Sequence, residues 1–111
     1  NYVGAWSFRM SKENEAKYRS KLTASGVKGT LYTPDYKLTL NADGTFVAKE
    51  QFMSFDRVVK GTFKVEKGAA RLKINTVNGK APVFKSDIAG WVAIINKEGK
   101  LERSDEVKYT K

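Results

Sequence analysis

Residues 36–52 read Tyr-Lys-Leu-Thr-Leu-Asn-Ala-Asp-Gly-Thr-Phe-Val-Ala-Lys-Glu-Gln-Phe. Tyr36, Leu38 and Leu40 alternate with Lys37, Thr39 and Asn41, a period of two that marks a strand with one apolar face. Asn41-Ala42-Asp43-Gly44 then makes a hairpin turn in which Gly44 is free to take positive φ. Phe46, Ala48 and Phe52 resume the apolar face on the return strand. The same alternation of strand and turn continues toward the C-terminus. Phe55-Asp56-Arg57 reads as a break, and Val59, Gly61, Phe63 and Val65 continue a further strand. Glu66-Lys67-Gly68-Ala69 turns the chain into Leu72, Ile74 and Thr76. Asn78-Gly79, a strong two-residue hairpin signal, leads to Ala81-Pro82-Val83-Phe84, with Pro82 suited to a strand start or edge. Trp91 to Asn96, a turn at 97–100, Leu101 to Arg103 and Val107 to Tyr109 complete this half.

Upstream of the hairpin, Tyr2 to Phe8 reads as a first strand with Tyr2, Gly4, Trp6 and Phe8 on one face. A helix is expected over Lys12 to Ser25. Ser11 is its N-cap, Glu13 and Glu15 lie near its start, and Gly26 is a left-handed C′ residue. Its apolar stripe of Ala16, Tyr18, Leu22 and Val27 is thin, so it should lie on a surface or over an opening. The segment Tyr32-Thr33-Pro34 is expected to be a loop that, with the helix, covers one barrel mouth. The expectation is an all-β chain: one domain, 1–111, forming an antiparallel up-and-down barrel of about eight strands with one short helix between strands 1 and 2. Closure would remove the exposed edges that a long meander otherwise leaves.

Composition narrows the chemistry. The 111 residues hold no Cys and no His, which excludes disulfides, thiolate nucleophiles, imidazole ligands and a Ser-His-Asp triad. Asp35, Asp43, Asp56 and Asp87 fall in or beside expected turns, where Asp caps backbone. Gly26 and Gly29 precede a strand-like segment rather than a helix, so they do not form a phosphate loop. No catalytic residue, metal site or cofactor is expected. The net charge of +9 comes from 16 Lys and 5 Arg against 12 acids. Lys60, Lys64, Arg71 and Lys73 line up on the outer face of adjacent strands. The Lys excess, spread over every segment, and the inward-facing aromatics favour a solvated surface over nucleic-acid recognition.

Gly4-Ala5-Trp6 matches the Gly-x-Trp element of calycins. Residues 38–46 and Gly61-Thr62-Phe63-Lys64-Val65 resemble repeated motifs of bacterial lipocalin-like domains, with Phe63 where Trp is commoner. The resemblance spans nearly the whole chain and implies the barrel fold, a helix after the first strand, and a ligand held in the interior. It also implies a basic residue on the last strand covering the first-strand indole, with Arg103 the candidate beside Gly4 and Trp6. On the residues alone, Gly4 leaves room for close packing and Trp6 plugs one barrel end.

A ligand in such an interior would meet Trp6, Tyr36, Leu38, Phe46, Glu50, Phe52, Phe63 and Trp91. The same large side chains are equally compatible with a filled interior. Glu50 shares a face with Phe46, Ala48 and Phe52 and so could orient a polar or cationic ligand. A bulge near Gln51, or a place at the open rim, would instead turn it to water, and that reading is preferred. The expected function is a noncatalytic binding module for a small apolar ligand or a protein partner. The alternatives are an electrostatic binder of polyanions and a barrel-type protease inhibitor. Asn1 in place of an initiator Met makes a processed, periplasmic or secreted chain the expectation, with the cytoplasm also open. No apolar run is long enough to span a bilayer.

Overall fold

The computed structural model describes residues 1–26 and 32–111. The elements run β1 (Gly4–Arg9), α1 (Lys12–Ala24), β2 (Tyr32–Leu40), β3 (Thr45–Met53), β4 (Phe55–Glu66), β5 (Ala69–Val77), α2 (Lys85–Ala89), β6 (Trp91–Ile95), β7 (Leu101–Arg103) and β8 (Lys108–Tyr109). All eight strands form one sheet in sequence order, each antiparallel to the next. A bridge between Ser7 and Thr110, with two backbone hydrogen bonds of 2.7 Å, brings the last strand to the first. The result is a nearly closed up-and-down barrel.

The apolar alternation fixes the register. Leu38 opposes both Trp6 and Ala48, and Leu40 opposes both Gly4 and Phe46. Leu38, Leu40, Trp6, Phe46 and Ala48 are all buried, whereas Lys37 and Thr39 are exposed. A one-residue slip would exchange these faces, so the buried set selects one pairing. At the hairpin, Gly44 takes φ +87°, and the Asp43 carboxylate accepts from the Thr45 amide at 3.0 Å. A second hydrogen bond, from the Thr45 hydroxyl, combines with it to lower the pKa of Asp43. Asn78 and Gly79 both have positive φ, as a primed hairpin turn demands.

Apolar side chains from Leu40, Phe46, Leu72 and Leu101 fill the barrel at one end, each large one stabilising by roughly 1.5–3 kcal/mol. Tyr2 lies at that end, its hydroxyl donating to Gly68 O at 2.8 Å. The opposite end is formed by the close of β1 and β3, the start of β2 and β4, and α2.

Several sequence expectations are corrected. Tyr32, Thr33 and Pro34 are not a covering loop; they open β2, where Tyr32 opposes Met53. The break is at Met53-Ser54, with Met53 at φ +52°, so Phe55-Asp56-Arg57 begins β4 rather than interrupting it. Asp35 and Asp56 therefore sit in strands, not turns. Residues 81–83 pair with no strand among the described residues, and the chain turns at Phe84 into α2. Their strand-like composition reflects apolar side chains left in water, with Val83 79% and Phe84 69% exposed. Val65, expected inside, is exposed near the end of β4.

Helix α1 forms as expected. Ser11 Oγ accepts from the Asn14 amide, Gly26 takes φ +79°, and none of the helix residues is buried. The expected stripe residue Val27 and the glycine at 29 lie outside the described residues. Among the described residues no helix is long and apolar enough to cross a membrane.

Candidate functional site

The floor of the second barrel end is charged. Glu50, on β3, points inward and is 2% exposed, correcting the preferred reading that placed it at the rim or in water. Across the β3–β4 ladder its direct partner is Arg57, whose Nε donates to Glu50 Oε1 at 2.8 Å. Arg103, at the end of β7, donates from Nη1 to Glu50 Oε2 at 2.5 Å and to the Tyr109 hydroxyl at 2.8 Å. Arg103 also forks onto both oxygens of Asp105, at 2.5 and 2.6 Å. Arg57 Nη1 donates to both oxygens of Asp87, at 3.1 and 3.2 Å. Asp87, Arg57, Glu50, Arg103 and Asp105 thus form an alternating chain of charges.

Such a chain tolerates burial because every ion faces an opposite one. Burial alone would lower the pKa of Arg103, yet the hydrogen bonds it donates to Asp105 and Glu50 and the surrounding negative charge raise it above the ordinary value. Burial likewise works to lower that of Arg57, and the Glu50 hydrogen bond and charge, with Asp87, more than reverse it. Tyr109 and Tyr36 are pushed up by burial first, with the Glu50 charge adding to it.

Above this floor the end opens into a pocket of about 340 Å³. Its walls include Tyr36, Phe52, Phe55, Phe84 and Val107. The rings form a run along the rim. Phe8 and Tyr36 are 5.9 Å apart, Tyr36 and Phe52 meet edge-on at 6.1 Å, and Phe52 stacks on Phe55 at 5.0 Å. A larger groove of about 650 Å³ runs over the outer wall, past Lys64, Arg71, Lys73, Ile88 and Val92. We take the end pocket as the candidate site, because among the described residues the buried polar groups Glu50, Asp87 and Arg103 converge there beneath apolar walls.

Of the residues the sequence singled out, Tyr36, Glu50, Phe52 and Arg103 meet at this pocket. Trp6, Leu38 and Phe46 belong to the packed core, and Phe63 and Trp91 border the outer groove. Arg103 does not cover Trp6, as the resemblance implied. Its guanidinium lies 4.0 Å from the Trp91 ring centre. The cation over Trp6 is the Lys111 ammonium, at 5.0 Å. Gly4 makes that possible, since a Cβ there would fall 2.5 Å from Lys111 Cε. The indole Nε1–H of Trp6 donates to Tyr2 O at 2.9 Å.

Sequence reasoning missed Arg57, Asp87, Asp105, Tyr109, Phe55 and Phe84. A turn at Met53-Ser54 would have set Glu50 opposite Arg57 and revealed the pair. Asp87, read as a turn cap, is a buried partner of Arg57 instead. In a chain without His or Cys, carboxylates would have to supply a metal site, and no group of three or more gathers for one among the described residues. Compared with protein-family models, curated proteins and solved structures, the chain matches none.

Proposed function

We propose that this chain is a noncatalytic binding module whose ligand, a small largely apolar molecule, seats in the end pocket. The observation that carries the reading is a pocket walled by Tyr36, Phe52, Phe55 and Phe84 above a buried polar floor, in a barrel otherwise packed with side chains. Aromatic walls supply most of the burial energy, and a few fixed polar groups set orientation. Both Glu50 oxygens are engaged by guanidinium donors, which suits a structural floor better than a proton-transferring base. The resemblance of residues 4–6, 38–46 and 61–65 to bacterial lipocalin-like domains supports the same reading, and with it a periplasmic or secreted setting. Exposed Val83 and Phe84 extend the apolar surface beside the mouth, so a side chain of a protein partner would suit the same place.

Titration with short-chain amphiphiles, read out by amide chemical shifts, tests the proposal. Shifts should concentrate at Tyr36, Phe52, Phe55 and Phe84, and Phe55→Ser should weaken binding. Shifts spread over the outer wall, or none at all, would overturn it. One observation favours a second reading. Lys60, Lys64, Arg71 and Lys73 are all exposed on β4 and β5, with Lys64 directly opposite Arg71. A polyanion bound there would lose affinity steeply with added salt, whereas the pocket ligand would not.

A further inference from the structure

We infer that the end pocket selects a small organic monocation, a protonated or quaternary alkylamine, over the corresponding neutral or anionic molecule. The inference rests on the pocket being the binding site, as proposed above. Three observations carry it.

The first is charge balance. Glu50, Asp87 and Asp105 set three carboxylates against the two guanidiniums of Arg57 and Arg103, leaving the pocket lining at −1, with Glu50 and Asp87 buried and Asp105 47% exposed at its edge. In a molecule of net charge +9, the charged residues lining this pocket sum to −1. The guanidiniums are already taken up by the chain's own carboxylates, so an incoming anion would meet excess negative charge.

The second is Asp87. It is 4% exposed and borders the pocket, yet both its oxygens take their hydrogen bonds from one nitrogen, Arg57 Nη1. A carboxylate offers about four lone-pair sites, so this buried anion retains acceptor capacity.

The third is the wall. The faces of aromatic rings attract a cation placed within about 6 Å of a ring centre. The same end already holds one cation this way, the Arg103 guanidinium over Trp91. Phe84, the N-cap residue before α2, and Phe55, stacked on Phe52, present rings on the same pocket as Asp87. An ammonium head lodged beside Asp87 would bring the charge chain to neutrality, while its alkyl body lay against the phenylalanines.

The test uses three probes of one chain length on the full protein: hexylammonium, hexanol and hexanoate. Binding is read by calorimetry and by amide shifts at Phe55, Phe84 and Asp87. The ammonium should bind roughly tenfold more tightly than hexanol, and hexanoate more weakly than either. Non-specific attraction to a +9 protein would give the opposite order. Phe84→Leu, which keeps apolar area on an exposed side chain but removes the ring, should cut ammonium affinity several-fold and leave hexanol nearly unchanged. Asp87→Asn should do the same. If that variant does not fold, Phe84→Leu decides alone. Equal binding of ammonium and hexanol, tighter binding of hexanoate, or no effect of Phe84→Leu would overturn the cation inference and leave the pocket reading standing. Binding of none of the three would overturn both.

Discussion

Glu50 is the residue on which the open end depends. Its carboxylate separates two guanidiniums, and at 2% exposure no water can replace it. Removing one partner of a buried ion pair leaves an uncompensated charge, at a cost of roughly 3–5 kcal/mol. Glu50→Ala should therefore destabilise the fold by about that amount in a denaturant titration, against at most about 1 kcal/mol for Glu98→Ala, whose ion pair with Lys100 is exposed. Equal losses would show that the Glu50 pairs add nothing. Tyr109 gives a pH signature. Its pKa in the folded chain is raised from 10.0, first by burial. Its stabilising contribution is complete below pH 10.0 and is lost above it, because the unfolded chain then releases a phenol proton that the native chain holds. Stability measured by denaturant titration should fall as pH climbs past about 10, and fall more gently in Tyr109→Phe. Only part of this site was legible: Glu50 shares the parity of Phe46 and Ala48, although the preferred reading turned it to water, and Arg57 was missed with the turn at Met53-Ser54 that sets it opposite Glu50. The rest was not, because Asp87 arrives on a helix without a side-chain cap and Asp105 from a turn beyond β7.

Among the elements, the middle stretches of β2 to β5 derive directly from alternation and turn chemistry, whereas the start of β2 and the Met53-Ser54 turn into β4 carried no such signal. Gly44, Gly68 and Gly79 each take the positive φ that their hairpins require. Errors gathered where one physical signal was ambiguous. Residues 81–84 are apolar enough for a strand but find no ladder, and α2 has five residues and no cap for a periodicity to announce. Gly61 shows what pairing demands. A Cβ there would lie 1.8 Å from Lys73 O, where the β4–β5 register shifts. Gly61→Ala should lower the melting temperature far more than Gly99→Ala, which meets open space and costs about 1–2 kcal/mol for its positive φ alone. Helix α1 rests on its caps rather than on packing, so Ser11→Ala should fray it at a cost of about 1 kcal/mol. Hydrogen exchange would report this as faster amides at 14–17 with unchanged protection in β3 and β4; altered exchange of those strands would contradict a surface role for α1.

For the whole molecule, closure is its least supported feature. β7 has three residues and β8 two, and β8 meets β1 through the Ser7–Thr110 bridge. Thr110→Pro removes one of its two hydrogen bonds. Exchange at Ser7 should quicken well before exchange in β3, and coincident loss at both would mean that the barrel opens only by global unfolding. The two indoles add an experimental use. Trp6 lies beside this seam under the Lys111 ammonium, and Trp91 lies under the Arg103 guanidinium that anchors the charged floor. Indole emission responds to neighbouring charge and water, so the two rings are natural optical reporters of different events. In Trp91→Phe protein the remaining fluorescence would track separation of β8 from β1, and in Trp6→Phe protein it would track disturbance of Arg103.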